Sequence, residues 1–288
     1  MRYLRDMEIR FHKMHGTLND FVVFHDLEGQ VELSAEQIAH LCHRHAGVGA
    51  DGLIVVRPSA HADFFMDYRN SDGSLAEMCG NGIRCLAKYA YDNRLTRKTE
   101  LLVETRGGIK QLELFPGRDG AIERVRVNMG APIFAPSEIP VAATDVTPPI
   151  LDMPLRVDGR EFKCSMVSMG NPHCVIVTNE DLAQMPSRYG PQIESHGMFP
   201  AKTNVEFIQV PDRTRIRMRV WERGCGETRS CGTGACASAV VARVKGLVEA
   251  DVVVELLGGE LLISWNGAED PVLMTGSATT AFFGTISF

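Results

Sequence analysis

Two short stretches, Met78-Cys79-Gly80-Asn81-Gly82-Ile83-Arg84-Cys85 and Ser230-Cys231-Gly232-Thr233-Gly234-Ala235-Cys236, lie 152 residues apart (231 − 79) in a chain of 288. The same offset carries Asn19 onto Asn171, Val23 onto Val175, Met66 onto Met218, Gly80 onto Gly232 and Gly82 onto Gly234. It also sets Gly52 against Asn204 and Asn70 against Glu222. One ungapped register from residue 19 to residue 82 marks a duplicated module, so whatever the first half folds into, the second half folds into again. With 44% hydrophobic residues, each half has material for its own core.

Each stretch puts a cysteine directly before Gly-x-Gly and an apolar, alanine-rich run. A chain with that pattern turns tightly into a helix, and both cysteines are expected at helix N-termini. There the unpaired amides and the positive end of the dipole favour thiolate over thiol, which predicts a pKa below the ordinary value of about 8.5. The same amides can hold a carboxylate.

In chain order, alternation predicts a strand at 8–13, a turn from His15 to Asp20 and a strand at 21–24. Ser34 with Gln37 forms a capping box ahead of the stripe Ile38, Leu41, Cys42. Strands are expected at 53–57 and 62–69, a helix from Cys79 to about Asn93, and strands at 99–105, 109–114 and 122–127. Six prolines between Pro132 and Pro154 mark a crossover. Beyond it the order repeats, with strands at 161–168 and 174–178, a helical stretch at 189–196, strands at 204–210 and 215–221, and a helix from Cys231 to near Gly246. Strands at 252–257, 261–265 and 280–288 close the chain. Strands outnumber helices without a βαβ rhythm, which makes the class α+β. Two pseudo-symmetric modules are expected, each a mixed sheet or barrel wrapped around a central helix, with the active site in the cleft between them. Their bounds are 1–133, joined by the C-terminal strand 277–288, and 134–276.

A net charge of −6 argues against a nucleic-acid or anionic-membrane surface. The row Arg213, Arg215, Arg217, Arg219 alternates and suits the solvent face of a strand. No apolar run reaches the length of a membrane span, and Met1 to Lys13 carries charges where a signal peptide needs apolar residues. A cytoplasmic protein is expected. The eight cysteines are then read as reduced. Zinc is the rival reading, but Cys79-x5-Cys85 and Cys231-x4-Cys236 are not knuckle spacings, and Cys85 and Cys236 fall where a cysteine is a small buried hydrophobe.

Two activated thiols in related halves suit one reaction above others. Inverting an amino-acid α-carbon needs a base on one face and an acid on the other, with donors placed where carboxylate charge grows. The residues Lys13-Met14-His15-Gly16 with Asn19-Asp20-Phe21, Gly47 to Gly52, Asn70 to Gly73, Glu77 to Gly82, Gly170-Asn171-Pro172-His173, Asn204-Val205, Glu222 to Thr228 and Cys231 to Cys236 resemble the diaminopimelate epimerases. These belong to the cofactor-independent amino-acid racemases, a group that includes proline racemase. Asn81 after Cys79-Gly80 resembles the epimerases, where proline racemases tend to carry histidine.

The resemblance implies epimerisation of LL-2,6-diaminopimelate to the meso form, an isomerase step in lysine and peptidoglycan precursor synthesis, with no cofactor and no metal. It implies Cys79 and Cys231 as the acid/base pair and His173 and Glu222 as residues tuning the thiols. Asn19, Asn70, Gly80, Asn81, Asn171, Asn204, Glu222, Arg223, Gly232 and Thr233 become the substrate contacts, Arg223 answering a second carboxylate. It also implies a homodimer, with Phe282 in its interface, and no nucleic-acid or membrane partner. Asp51 and Asp72 are read as loop formers. A proline- or hydroxyproline-type racemase would keep the thiols but have no use for Arg223. A non-catalytic zinc or thiol protein would exchange no substrate hydrogen.

Overall fold

The computed structural model describes residues 8–142 and 146–287. Part of the proline-rich crossover, the N-terminal residues 1–7 and Phe288 of the expected last strand lie outside them. The first half of the chain runs β1 (Glu8–Gly16), β2 (Asn19–His25), α1 (Ala35–Cys42), β3 (Gly52–Arg57), β4 (Phe64–Asn70), α2 (Gly80–Asp92), β5 (Glu100–Thr105), β6 (Gly108–Pro116) and β7 (Ile122–Asn128). The second runs β8 (Met153–Val157), β9 (Arg160–Ser168), β10 (Pro172–Val177), α3 (Met185–Glu194), β11 (Asn204–Asp212), β12 (Arg215–Glu222), β13 (Gly226–Thr228), α4 (Gly232–Val244), β14 (Asp251–Leu256), β15 (Gly259–Ser264) and β16 (Leu273–Ser277). The last strand is β17 (Thr279–Ser287).

The repeat seen in the sequence is a repeat of structure. An offset of 152 carries the start and end of β1 onto those of β9, and those of α2 onto those of α4. Pairing repeats too. β2 lies parallel to β3 as β10 does to β11, and β4 parallel to β5 as β12 does to β14, with the remaining hairpins antiparallel. β17 completes the first sheet by pairing with β1, and β8 completes the second by pairing with β9.

Two compact units result, one running to Val127 and resumed from Gly276, the other Asn128–Thr275. The division after Val127 falls one residue before the end of β7.

Central strands in unit 1 are buried on both faces, so they read as apolar runs. Val22, Phe24, Leu53 and Val55 pack with Ile38 and Leu41 of α1. Residues of opposite parity turn toward α2, where a Cβ on Gly82 would lie 2.8 Å from Ile54 Cδ1 and 2.9 Å from Met66 Cε. Only glycine lets the helix approach so closely. α2 packs against β1, β2, β3 and β6, and Ile83, Cys85, Leu86 and Ala87 are fully buried. Unit 2 does the same: Phe162, Ile176 and Phe207 pack with Tyr189 and Ile193 of α3. On the other side α4 buries Ala237, Val240 and Val241 among β9, β10, β11, β12, β14 and β15.

Several local readings change. The first turn is only Thr17-Leu18, both left-handed at φ 50° and 63°, the conformation a two-residue hairpin needs, so β1 and β2 reach further than expected. Strand β8 forms inside the proline-rich stretch, Pro154 pairing opposite Lys163. Strands β13 and β16, short and without alternation, were not anticipated. Helix α3 begins at Met185 with Pro186 in its first turn, four residues earlier than expected. The capping box of Ser34 and Gln37 is present, Gln37 N–H donating to Ser34 Oγ at 3.2 Å. Three members of the arginine row, Arg215, Arg217 and Arg219, lie on β12 and pair with Glu255, Glu260 and Glu227 while Ile216, Met218 and Val220 are buried; Arg213, in the turn before the strand, pairs with Glu249.

Candidate active site

In unit 1 the site grows from the start of α2. Cys79 is the N-cap, with extended backbone, and its sulfur accepts from the Gly82 N–H at 3.4 Å. The sulfur lies 3.5 Å from Asn19 Oδ1, at the first residue of β2. Asn81 Nδ2 donates to that same oxygen at 3.3 Å, while Asn19 Nδ2 donates to Asp51 Oδ2 at 2.8 Å. Behind them Arg84, fully buried inside an otherwise apolar helix run, donates to Gly80 O, Asn81 Oδ1 and Ser277 O. Arg44 bridges Asp20 and Asp51. Burial would raise the Asp20 carboxyl, but Arg44 and Lys13 outweigh it and hold it well below the usual carboxylate range. Asn70, at the end of β4 and paired with Gly52 beside Asp51, donates to Ser74 Oγ at 3.0 Å.

In unit 2 Cys231 caps α4 in the same way, accepting from the Gly234 N–H at 3.4 Å, with Thr233 Oγ1 3.6 Å from its sulfur. Asn171 Nδ2 donates to Thr233 Oγ1 at 3.3 Å, and Asn171 Oδ1 faces His173 Nε2 at 3.0 Å. The other ring nitrogen, Nδ1, meets Glu206 Oε1 at 2.7 Å, both side chains fully buried. Asn204, 3% exposed, ties β11 to its neighbours by donating to Pro172 O and accepting from the Arg223 N–H. Glu222 accepts from Thr228 Oγ1. The Arg223 guanidinium is exposed and donates to Ala201 O at 3.2 Å.

The expectation of a lowered pKa fails for Cys231. Burial first, then the Glu222 and Glu206 carboxylates, raise its thiol well above the ordinary value and outweigh the hydrogen bond with Thr233. Glu222 is itself raised by burial, despite its hydrogen bonds with Thr228 and Cys231. Cys85, inside α2, is pushed up to about 12, chiefly by burial, as suits a core residue.

The structure thus groups Asn19, Cys79, Gly80 and Asn81 in one unit, and Asn171, His173, Glu222, Cys231, Gly232 and Thr233 in the other. Asp72 caps the turn before α2 through Ser74 N–H, as a loop former does. Asp51 does more than shape its loop, since it holds Asn19. Arg84 and Glu206 were not singled out from the sequence, though a signal existed: each is a charge inside an apolar run, Ile83-Arg84-Cys85-Leu86 and Val205-Glu206-Phe207. Phe282, half-exposed on β17, packs edge-on against Phe11.

Solved structures share this architecture. A hydroxyproline epimerase from Agrobacterium vitis, with bound trans-4-hydroxy-L-proline, superposes with a TM-score of 0.66 at 15% identity, covering 99% of this chain and 92% of that one. A PhzF-family phenazine biosynthesis protein from Bacillus anthracis gives 0.65 at 16% identity, covering 98% and 99%. At such identities the likeness defines the class of fold, two repeated α+β units with a central helix in each.

Sequence narrows it. The profile of the diaminopimelate epimerase family matches residues 11–135 and 165–281. The diaminopimelate epimerase of Acetivibrio thermocellus is 47% identical over 279 residues, 96% of this chain and 98% of that protein. That of Agathobacter rectalis is 44% identical over 283 residues, 96% and 99%. The chain belongs to the diaminopimelate epimerase family.

Proposed function

We propose that the protein epimerises LL-2,6-diaminopimelate to meso-diaminopimelate, a step serving lysine and peptidoglycan precursor synthesis. The observation that carries this reading is a cysteine at the N-cap of the central helix in each repeat, both set against an asparagine network. In the proposed scheme one thiolate takes the α-proton from one face of the α-carbon and the other thiol returns a proton to the opposite face. Cys79 and Cys231 exchange these roles when the direction reverses. A planar carbanionic intermediate places charge on the reacting carboxylate, and the positive ends of α2 and α4, with the Gly80, Asn81, Gly232 and Thr233 amides, stabilise it.

Asn19, Asn70, Asn171 and Asn204 complete the substrate contacts. Arg223 holds the distal carboxylate, and Glu222 pairs with the distal ammonium while tuning Cys231 with His173. No cofactor or metal enters the scheme. The protein is read as a cytoplasmic homodimer packed through β17 around Phe282. Among the described residues no helix is long and apolar enough to cross a membrane.

Purified protein incubated separately with LL-diaminopimelate, L-proline and trans-4-hydroxy-L-proline tests the reading. Chiral chromatography should find a meso product from the first and no change in the others. Turnover of either proline with none of diaminopimelate would overturn it.

A further inference from the structure

Cys79 and Cys231 hold equivalent positions, yet the asparagine beside each is oriented by different groups. In unit 1 the orientation is settled from both ends. A guanidinium can only donate and a carboxylate can only accept. Arg84 Nη2 donates to Asn81 Oδ1 at 3.0 Å, which turns Asn81 Nδ2 onto Asn19 Oδ1. Asp51 Oδ2 accepts from Asn19 Nδ2 at 2.8 Å. Neither amide can be reversed without setting like groups against each other, so the assignment does not depend on telling oxygen from nitrogen in a side-chain amide. Asn19 therefore presents a carbonyl oxygen to the Cys79 sulfur at 3.5 Å. A thiol can donate to that oxygen, whereas a thiolate would face its lone pairs. The Gly82 N–H donates to a sulfur lone pair and is compatible with S–H.

We propose that Arg84 and Asp51 are positioning residues that lock Asn19 as an acceptor and so hold Cys79 as a protonated thiol before substrate enters. The inference rests on the two-thiol reading above. Unit 2 lacks the lock. At the offset positions Asn81 becomes Thr233 and Arg84 becomes Cys236. Asn171 spans His173 Nε2 and the Thr233 hydroxyl, and that hydroxyl, 3.6 Å from the Cys231 sulfur, can donate to it or accept from it.

The test is the rate at which iodoacetamide alkylates Cys79, followed across pH by mass spectrometry of its peptide. Among the described residues the ionisable groups near this thiol or behind Asn19 include Arg84 and Cys85 on its own helix, Lys13 on β1, Asp20 on β2, and Arg44 and Asp51 in the loop before β3. Asp51→Ala frees the Asn19 amide to turn its donor toward sulfur, and alkylation at pH 7.5 should rise roughly five- to tenfold, its profile moving about one unit to lower pH. Removing the Asp51 charge also favours thiolate, so the same change is made in an Asn19→Ala background, where a rise below about twofold is expected because no amide remains to turn. Asp51→Asn keeps an oxygen where Oδ2 stands, accepting from both the Asp20 N–H and Asn19 Nδ2, so Asn19 stays locked and a rise below about twofold is expected from the lost charge alone. An equal rise with Asp51→Ala in both backgrounds, no rise with Asp51→Ala, or as large a rise with Asp51→Asn as with Asp51→Ala, overturns the proposal. The readout needs no turnover, so epimerisation retained by Cys79→Ala would sink the two-thiol reading while leaving the alkylation result to stand.

Discussion

The two units set the same backbone turn around a cysteine and then surround it with different chemistry. Around Cys79 stand an arginine, two asparagines and an aspartate held in an ion-pair cluster. Around Cys231 stand a threonine, an asparagine, a buried His173–Glu206 pair and Glu222. Duplication has preserved what the helix terminus requires, an N-cap sulfur followed by glycines, and has let the flanking side chains diverge. Gly52 faces Asn204 in the repeat, Ile54 faces Glu206, and Ser71 faces Arg223. The proposed reaction needs two like ends for the two faces of one carbon, while its substrate is not symmetric about that carbon, and we propose that the divergent positions answer the difference.

Removing one end should be the harshest test of this comparison. Cys79→Ala and Cys231→Ala should each lower epimerisation by about a thousandfold or more, the upper part of the range for general acid–base groups, with far-UV circular dichroism unchanged. Activity kept by either variant would mean that the two cysteines are not a pair. Erasing a divergent position comes next. Arg223→Ser gives unit 2 the residue unit 1 has at the matching place, and kcat/KM should fall roughly a hundredfold, mostly through KM, as a charge-assisted contact to a carboxylate is lost. A fall confined to kcat would place Arg223 in the chemistry instead.

Burial and the two carboxylates hold the Cys231 thiol high, and removal of a negative charge favours the charged thiolate. Glu222→Gln should therefore move alkylation of Cys231 to lower pH, by about one unit. A move to higher pH would show that Glu222 acts on Cys231 chiefly by some other route. The smallest effect concerns the outer helices. Ser34 caps α1 with its side chain, whereas Gln184 makes no side-chain cap on α3. Ser34→Ala should cost about 1 kcal/mol in urea unfolding and Gln184→Ala close to nothing. Equal losses would show that the outer helices are stabilised alike, by packing.

Much of this was legible because periodicity and glycine placement act locally. The helices at Cys79 and Cys231, the capping box at Ser34 and the repeat register all depend on residues close in sequence. The strands inside the proline-rich stretch and after Leu273 were not, since their existence depends on pairing with β9 and β15 rather than on their own pattern. Most of the site residues named from motifs gather as two clusters; Asp51 and Glu206 act across 32 and 33 residues of chain, so their partners Asn19 and His173 show only in contact, whereas Arg84 and Glu206 could have been noticed as charges inside apolar runs. The thiol chemistry was misread for Cys231 for the same reason. A helix terminus can be read from Cys-Gly-x-Gly, whereas the burial and carboxylates that oppose it come from β11 and β12.

The central claim is that one thiol removes and the other returns the proton at a single α-carbon. Turnover of LL-diaminopimelate in D2O, followed by NMR to less than a tenth of equilibrium, tests it most directly. The account predicts meso product carrying deuterium at the inverted α-carbon, while the remaining LL substrate stays largely protiated, because the returned hydrogen comes from a different sulfur than the one that took the proton. Meso product that retains the original hydrogen, or LL substrate that gains deuterium as fast as product forms, would contradict it.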